Sequence, residues 1–191
     1  MKVLAISGSA RLEGNTALLV RQVFRELQAD GIETELVQLA GKALHGCRAC
    51  YACFERKDGL CAWSDDFVNE CIAKMTLADA IILASPTYYA DVSAEMKALV
   101  DRAGMVAGAN GGLFRRKAGA AVVAVRRSGA IHAFDTLNHF FLISEMIVPG
   151  SSYWNIGIGR DIGQASGDEE GMGIMRDLGR NLAWLLRRIR E

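Results

Sequence analysis

The sequence predicts one doubly wound α/β domain built on a parallel sheet, and three observations carry that expectation. Short apolar runs alternate with longer segments of helical periodicity along the whole chain, which is the pattern of repeated βαβ units. Two of the runs, Ala80–Ala84 and Ala118–Val125, are apolar throughout, as strands covered on both faces are. A length of 191 residues with 51% hydrophobic content supplies one substantial core, since domains commonly run to about 100–200 residues. Residues 1–191 therefore read as a single domain, with no internal repeat, low-complexity tract or linker.

The elements follow in order. Val3–Ser7 is a first strand ending in a Ser/Gly turn. A helix starts at about Asn15 and carries Leu19, Val23, Phe24 and Leu27 at helical spacing until Asp30-Gly31 stops it. Glu33–Leu39 alternates as a second strand. Residues 40–63 form a cysteine-bearing loop, after which Ser64 is positioned to cap a helix with Phe67, Cys71, Ile72 and Met75 on one face. Ala80–Ala84 is the third strand, punctuated by Pro86, and Ser93–Met105 is helical. Ala118–Val125 is the fourth strand and His132–Met146 a further helix. Ile147–Ile158 holds a last strand interrupted by Pro149-Gly150. The final helix is the clearest: Met175, Leu178, Leu182, Leu185, Leu186 and Ile189 make one stripe, and its arginine-rich end suits the negative pole of the helix dipole. Cys71 and Trp184 read as core residues, and Trp63 and Trp154 as packing residues.

Charge and targeting exclude several classes. Basic and acidic residues number 22 each, with no basic stripe for nucleic acid and no polybasic block for anionic lipid. The run Val3–Ile6 is shorter than the roughly 7–15 apolar residues of a signal-peptide core. No segment approaches the ~20 apolar residues of a membrane helix. The expected location is the cytoplasm, with no nucleic-acid or membrane partner.

The first loop runs Ser7-Gly8-Ser9-Ala10-Arg11-Leu12-Glu13-Gly14-Asn15-Thr16. Free N–H groups and the positive dipole end of the following helix favour an anion there, with Ser9, Asn15 and Thr16 as side-chain donors and Arg11 as a cation. Ala10 stands where a dinucleotide fold needs its second glycine, and the Gly-Lys-Ser/Thr ending of a P-loop is absent. The pattern suits a terminal monophosphate such as that of FMN. The third strand leads into Ser85-Pro86-Thr87-Tyr88-Tyr89-Ala90-Asp91. In the flavodoxin-like strand order 2-1-3-4-5 a ligand sits between strands one and three, so Pro86, Thr87, Tyr88 and Tyr89 lie beside the phosphate loop and can meet a flavin ring. The fourth strand ends in Arg126-Arg127-Ser128-Gly129, a third polar edge that brings Ser128 and Gly129 to the same end.

Gly8-Ser9-x-Arg11-x-x-Gly14-Asn15-Thr16 together with Pro86-Thr87-Tyr88-Tyr89 resembles the NADPH-dependent FMN reductase family, and the resemblance runs from Lys2 to the end of the last strand. It implies a flavodoxin-like three-layer sandwich, bound FMN, NAD(P)H as a donor and a homodimer or homotetramer. By that similarity Ser9, Arg11, Asn15 and Thr16 match the phosphate site, and Pro86 to Tyr89 the isoalloxazine site. Met105–Phe114, apolar and broken by glycines, is a candidate subunit contact near the flavin end.

Four of the five cysteines, Cys47, Cys50, Cys53 and Cys61, are spaced C-x2-C-x2-C-x7-C. Four thiolates this close can surround one iron–sulfur cluster. The two gaps among the first three cysteines match the ferredoxin type, whereas the last gap is longer and no proline follows Cys61. The motif resembles the compact cysteine motif of the iron–sulfur flavoproteins, which implies a [4Fe–4S] cluster exchanging electrons with FMN and a ferredoxin-type redox partner. Zinc on four thiolates, a metal-free loop of reduced thiols, and a thiol redox pair are the other readings of the same cysteines. The expected function is an FMN-dependent oxidoreductase in which the flavin is the reactive group and no side chain acts as acid or base. The alternatives are a flavodoxin-like electron carrier and a quinone or azo reductase.

Overall fold

The computed structural model describes residues 1–189. Five strands, β1 (Lys2–Ser7), β2 (Glu33–Gln38), β3 (Ala80–Pro86), β4 (Ala118–Val125) and β5 (Ile156–Ile158), form one parallel sheet. Their order is β2-β1-β3-β4-β5, the flavodoxin-like order that the sequence predicts. The described residues form six α-helices, α1 (Asn15–Ala29), α2 (Ala52–Arg56), α3 (Val68–Leu77), α4 (Ala94–Ala109), α5 (Ala130–Ile143) and α6 (Glu169–Arg188), with α2 packed on α4 and the others against the sheet.

Side chains alternate along each strand, so the sheet feeds two cores. Val3 and Ala5 of β1, Ile82 of β3 and Val122 of β4 pack with Leu19, Val23 and Leu27 of α1 and Leu178 and Leu182 of α6. Leu4, Ile6, Ile81, Leu83 and Val123 face the other way, onto Ile72, Met75, Leu99, Leu137 and Phe141 of α3, α4 and α5. Cys71 lies inside this second core, fully buried, and burial pushes its thiol up to about 12. It is the small inert hydrophobe expected.

Several expectations change. Ser64 does not cap α3; Asp66 does so from outside, its Oδ1 accepting from Val68 N at 3.2 Å. The cysteine loop contains α2, a helix too short to show a period. β5 is only three residues long, and Ile147 instead bridges to Ala118, because Pro149-Gly150 separates the two segments. Met105–Ala109 continues α4 without a break, and Phe114 is fully buried. That stretch lies at the entry end of β4, opposite the loops that follow β1 and β3. Trp184 is 61% exposed, since it lies off the apolar stripe of α6. Ile189 lies beyond the end of α6 and is half-exposed. No described helix is long and apolar enough to cross a membrane.

Candidate functional site

All the loops leaving the carboxyl ends of β1, β3 and β4 meet at one edge of the sheet. Gly8 lets β1 end against α4: a Cβ there would stand 2.7 Å from Ser93 Oγ and 2.9 Å from Met96 Cβ. Ser93 caps α4 by accepting from Met96 N, and its own N–H donates to Ser85 Oγ at 3.0 Å. The first loop and the β3 exit are thereby fixed against the same helix start.

Beyond that junction a cleft is lined by Ser9, Arg11, Gly14, Asn15, Thr16, Pro86, Thr87 and Tyr88, with Arg126 and Arg160 at its rim. The structure thus brings together every predicted phosphate residue and three of the four predicted ring residues. The floor is the start of α1, which has no side-chain cap and no acidic residue in its first turn. An uncapped helix start offers free N–H groups and a positive dipole end to an anion. Ser9 is buried, its Oγ accepting from Arg11 N at 3.1 Å and donating to Arg11 O at 3.2 Å, which folds the loop around Arg11. Asn15 is used differently from the expectation. Its Nδ2 donates to Asp161 O at 2.9 Å and its Oδ1 accepts from Ala165 N at 3.2 Å. The side chain therefore ties the loop after β5 to α1 and brings Arg160 to the rim, leaving its backbone N–H for a ligand.

The β3 exit carries two signs of a binding loop. Tyr89 and Ala90 both take positive φ, 47° and 63°, a left-handed conformation that costs non-glycine residues about 1–3 kcal/mol and clusters at functional loops. The turn is held by Tyr88 and Asp91 pairing in both directions and by Thr136 Oγ1 donating to Asp91 Oδ1 at 2.8 Å. Thr87 Oγ1 is buried in the cleft wall with no hydrogen-bond partner, one of two such side-chain atoms among the described residues. Gly129, at φ 87°, starts α5 beside this turn; a Cβ there would stand 3.2 Å from Ala90 Cα. Tyr89 is fully exposed and Ser128 points to solvent, so neither lines the cleft. Arg160 escaped sequence reasoning, because only the fold returns residue 160 to the first loop. Arg11, Arg126 and Arg160 make no ion pair among the described residues, which leaves three cations for a phosphate.

The four clustered cysteines sit elsewhere, against the second half of α4. Cys47, Cys50, Cys53 and Cys61 all line one cavity of about 20 Å³, closed by Trp63, Arg102, Met105 and Val106. That is room for about one water, and no three metal-ligating side chains among the described residues stand close enough to hold one ion. The donors nonetheless suit thiolates. Ala49 N donates to Cys47 Sγ at 3.4 Å. Backbone N–H from Ala52, with Arg48 behind it, holds the exposed Cys50 thiol below its usual range. Burial pushes the Cys53 thiol up. Ala49 and Tyr51 both take left-handed φ, 52° and 57°, a conformation uncommon for non-glycine residues. Met105 lies twelve residues along α4 from Ser93, about 18 Å of helix, so the cavity and the cleft are separate places in one chain. His45 is exposed and stacks on Trp63 at 4.5 Å, confirming Trp63 as a packing residue; Trp154 is half-exposed, against Tyr153.

Comparison with known proteins identifies the family. The profile of the NADPH-dependent FMN reductase family matches residues 1–161. An iron–sulfur flavoprotein of Methanocaldococcus jannaschii is 40% identical over 198 residues, covering 100% of both chains. A second from the same organism is 31% identical, covering 92% of each. Among solved structures, RosB with a bound 8-demethyl-8-formylriboflavin-5'-phosphate has a TM-score of 0.80 at 18% identity, covering 100% of this chain and 80% of its own.

Proposed function

Because the chain belongs to the NADPH-dependent FMN reductase family and matches iron–sulfur flavoproteins over its whole length, we propose that it is an FMN-dependent oxidoreductase with a second redox group at its four clustered cysteines. The observation that carries the flavin site is the meeting, in one cleft, of an uncapped α1 start, three unpaired arginines and the orphaned hydroxyl of Thr87. Bound FMN supplies a ring that takes up hydride or single electrons. The protein's part is to hold it. The N–H groups at the start of α1, Thr16 and Arg11 would bind the phosphate, with Ser9 folding the loop around Arg11 and with Arg126 and Arg160 at the rim beside it. Thr87 Oγ1, with Pro86 and Tyr88 beside it, would meet the remainder of the cofactor.

The four thiols of Cys47, Cys50, Cys53 and Cys61 would suit a [4Fe–4S] cluster, with Ala49 N–H and the Arg102 guanidinium donating to two of the sulfurs, and the relatives named iron–sulfur flavoproteins support that reading over zinc. Such a cluster supplies one-electron storage. Exposed Cys47 and Cys50 sit on the outer arm of the loop. Reduced thiols of this kind suit the cytoplasm. NAD(P)H and a ferredoxin-type protein are the electron donors we propose.

The chain further acts as a homo-oligomer. A groove of about 1320 Å³ runs between α4 and α5 past Tyr51, Phe54, Met105 and Ile143. Ile143 is 84% and Leu142 63% exposed at its edge, an apolar surface of the kind that marks a subunit contact. An absorption spectrum with iron and sulfide assays on anaerobically purified protein tests both cofactors. Yellow protein retaining FMN and about four irons per chain is the expected result; colourless protein that takes up neither overturns the reading. Steady-state NADPH oxidation separates a reductase from a carrier.

A further inference from the structure

Arg102, on α4, is the largest fully buried side chain in the described structure, 1% exposed. A lone buried guanidinium is costly unless it is paired and fully hydrogen-bonded, and here every partner but one belongs to the cysteine loop or its edge. Nε donates to Cys61 Sγ at 3.3 Å. One terminal nitrogen donates to His45 O at 3.2 Å and to the Asp66 carboxylate, which is itself fully buried. The other donates to Trp63 O, and the guanidinium lies 5.6 Å from the Trp63 ring centre. Asp66 in turn accepts from His45 N at 2.9 Å. One cation therefore grips the loop at residue 45, before Cys47, and at residues 61, 63 and 66, on and after the last cysteine. Cys61 is also held through its backbone: its N–H donates to Asn69 Oδ1 at 2.8 Å and its carbonyl accepts from Asn69 Nδ2 at 2.9 Å.

We propose that Arg102, neutralised in part by Asp66, is a positioning residue that fixes Cys61 as the fourth thiolate of the cysteine site and raises the reduction potential of the group held there. The proposal rests on the reading of the four cysteines as a cluster site. Its physical basis has two parts. Cys61 is separated from Cys53 by seven residues, far enough that loop geometry alone does not return it to the other three; a planar fork with several donors can hold loop carbonyls, a carboxylate and a sulfur together. A charged N–H donor to a cluster sulfur also favours the more negative, reduced state, since hydrogen bonds to the sulfurs and local charge set the potential. Arg102 stays protonated throughout, so reduction adds one electron and no proton at this residue.

The test compares wild type with Arg102→Lys and with the double variant Arg102→Met/Asp66→Asn, all reconstituted anaerobically with iron and sulfide. Lysine keeps the charge but cannot make the fork, and the double variant removes the pair without stranding a buried charge. FMN uptake and circular dichroism report folding. Midpoint potentials are read by electron paramagnetic resonance while dithionite supplies the electron. Arg102→Lys is expected to retain most of its iron but to show a lower midpoint potential than wild type. The double variant is expected to lose iron several-fold. Asn69→Ala, which loosens Cys61 without touching the guanidinium, lowers occupancy and leaves the potential of the clusters that form near the wild-type value. Full iron and an unchanged potential in either Arg102 variant overturn the role of Arg102 alone. A wild type that takes up no iron overturns the cluster reading and this proposal with it. Failure of both Arg102 variants to fold, with Asn69→Ala folded and fully loaded, assigns Arg102 to the fold and overturns its role in the potential.

Discussion

Thr87→Val separates a binding hydroxyl from a structural one, because the two make opposite predictions about the ligand-free protein. Thr87 Oγ1 is buried without a partner, and an unsatisfied buried hydroxyl costs about 1–3 kcal/mol. Valine has nearly the same shape and no hydroxyl, so the ligand-free variant should be more stable by up to that amount. For a chain of this size each 1 kcal/mol moves Tm by about 2–4 °C, giving a rise of roughly 2–12 °C in calorimetry of flavin-free protein. If FMN is what pairs with this oxygen, binding recovers the same free energy in the wild type and not in the variant. FMN affinity should then fall by about 1–3 kcal/mol, roughly 5- to 150-fold in Kd by fluorescence titration. Gain of stability and loss of affinity must appear together. A variant that melts lower than wild type while binding FMN equally well would refute the placement of the cofactor against Thr87.

Thr16→Val removes a donor to the phosphate, and hydrogen bonds to charged groups are worth about 1.5–3 kcal/mol; FMN should bind roughly 10- to 150-fold more weakly with riboflavin affinity unchanged, and equal losses for both ligands would move the phosphate elsewhere. Burial alone would push the Asp66 carboxyl up, but Arg102 and the N–H groups of His45 and Val68 outweigh it and hold it below the usual range. The stability this supplies is complete above the unfolded value of about 3.9 and is lost as pH falls through the folded value; urea midpoints measured from pH 5 downward should show that loss in wild type and a smaller one in Asp66→Asn. That variant, with its guanidinium left buried and unpaired, should be about 3–5 kcal/mol less stable at neutral pH, and a smaller effect in denaturant titration would mean that Arg102 finds another partner. Ile143→Glu places a charge on the exposed end of α5 and should shift light scattering toward the monomer; an unchanged mass would put the subunit contact on another face.

The flavin edge was legible because its signals are local. A strand exit followed by hydroxyl residues, a cation and a helix start can be read from adjacent residues, and the flavodoxin-like order then places Pro86–Tyr88 beside it. What was not legible depends on residues far apart in the chain. Arg160 reaches the cleft only because Asn15 bonds to Asp161 and Ala165 across about 150 positions. The side chain assigned by its position to the phosphate therefore acts on another loop. Tyr89 reads from its position as a ring contact, yet it takes a left-handed φ and stands fully exposed, outside the cleft that Thr87 and Tyr88 line. Trp184 was read into the core on hydrophobicity, although Leu182, Ala183 and Leu186 already fill the buried face of α6. Arg102 carries no signal at all: on an amphipathic helix an arginine reads as a surface residue, and only the packed loop shows that it is the centre of one.

α4 is the element through which the two regions are related. Its first turn, through Ser93, is fixed to Ser85 and touches Gly8, beneath the flavin cleft. Its later turns hold Cys61 through Arg102, Cys53 through the Met105 carbonyl at 3.9 Å, and Gly59 through Asn110 Oδ1 at 2.8 Å. A rigid helix sets both positions and therefore also their separation, which is most of its own length of about 24 Å. In the isolated chain the cysteine cavity thus opens toward the α4–α5 groove and away from its own cleft. Whatever covers that groove decides what the cysteines face. The proposed subunit contact and the proposed electron route consequently stand on the same surface, and a change at Ile143 that alters assembly should alter electron exchange at the cysteines while leaving the cleft around Thr16 and Thr87 intact.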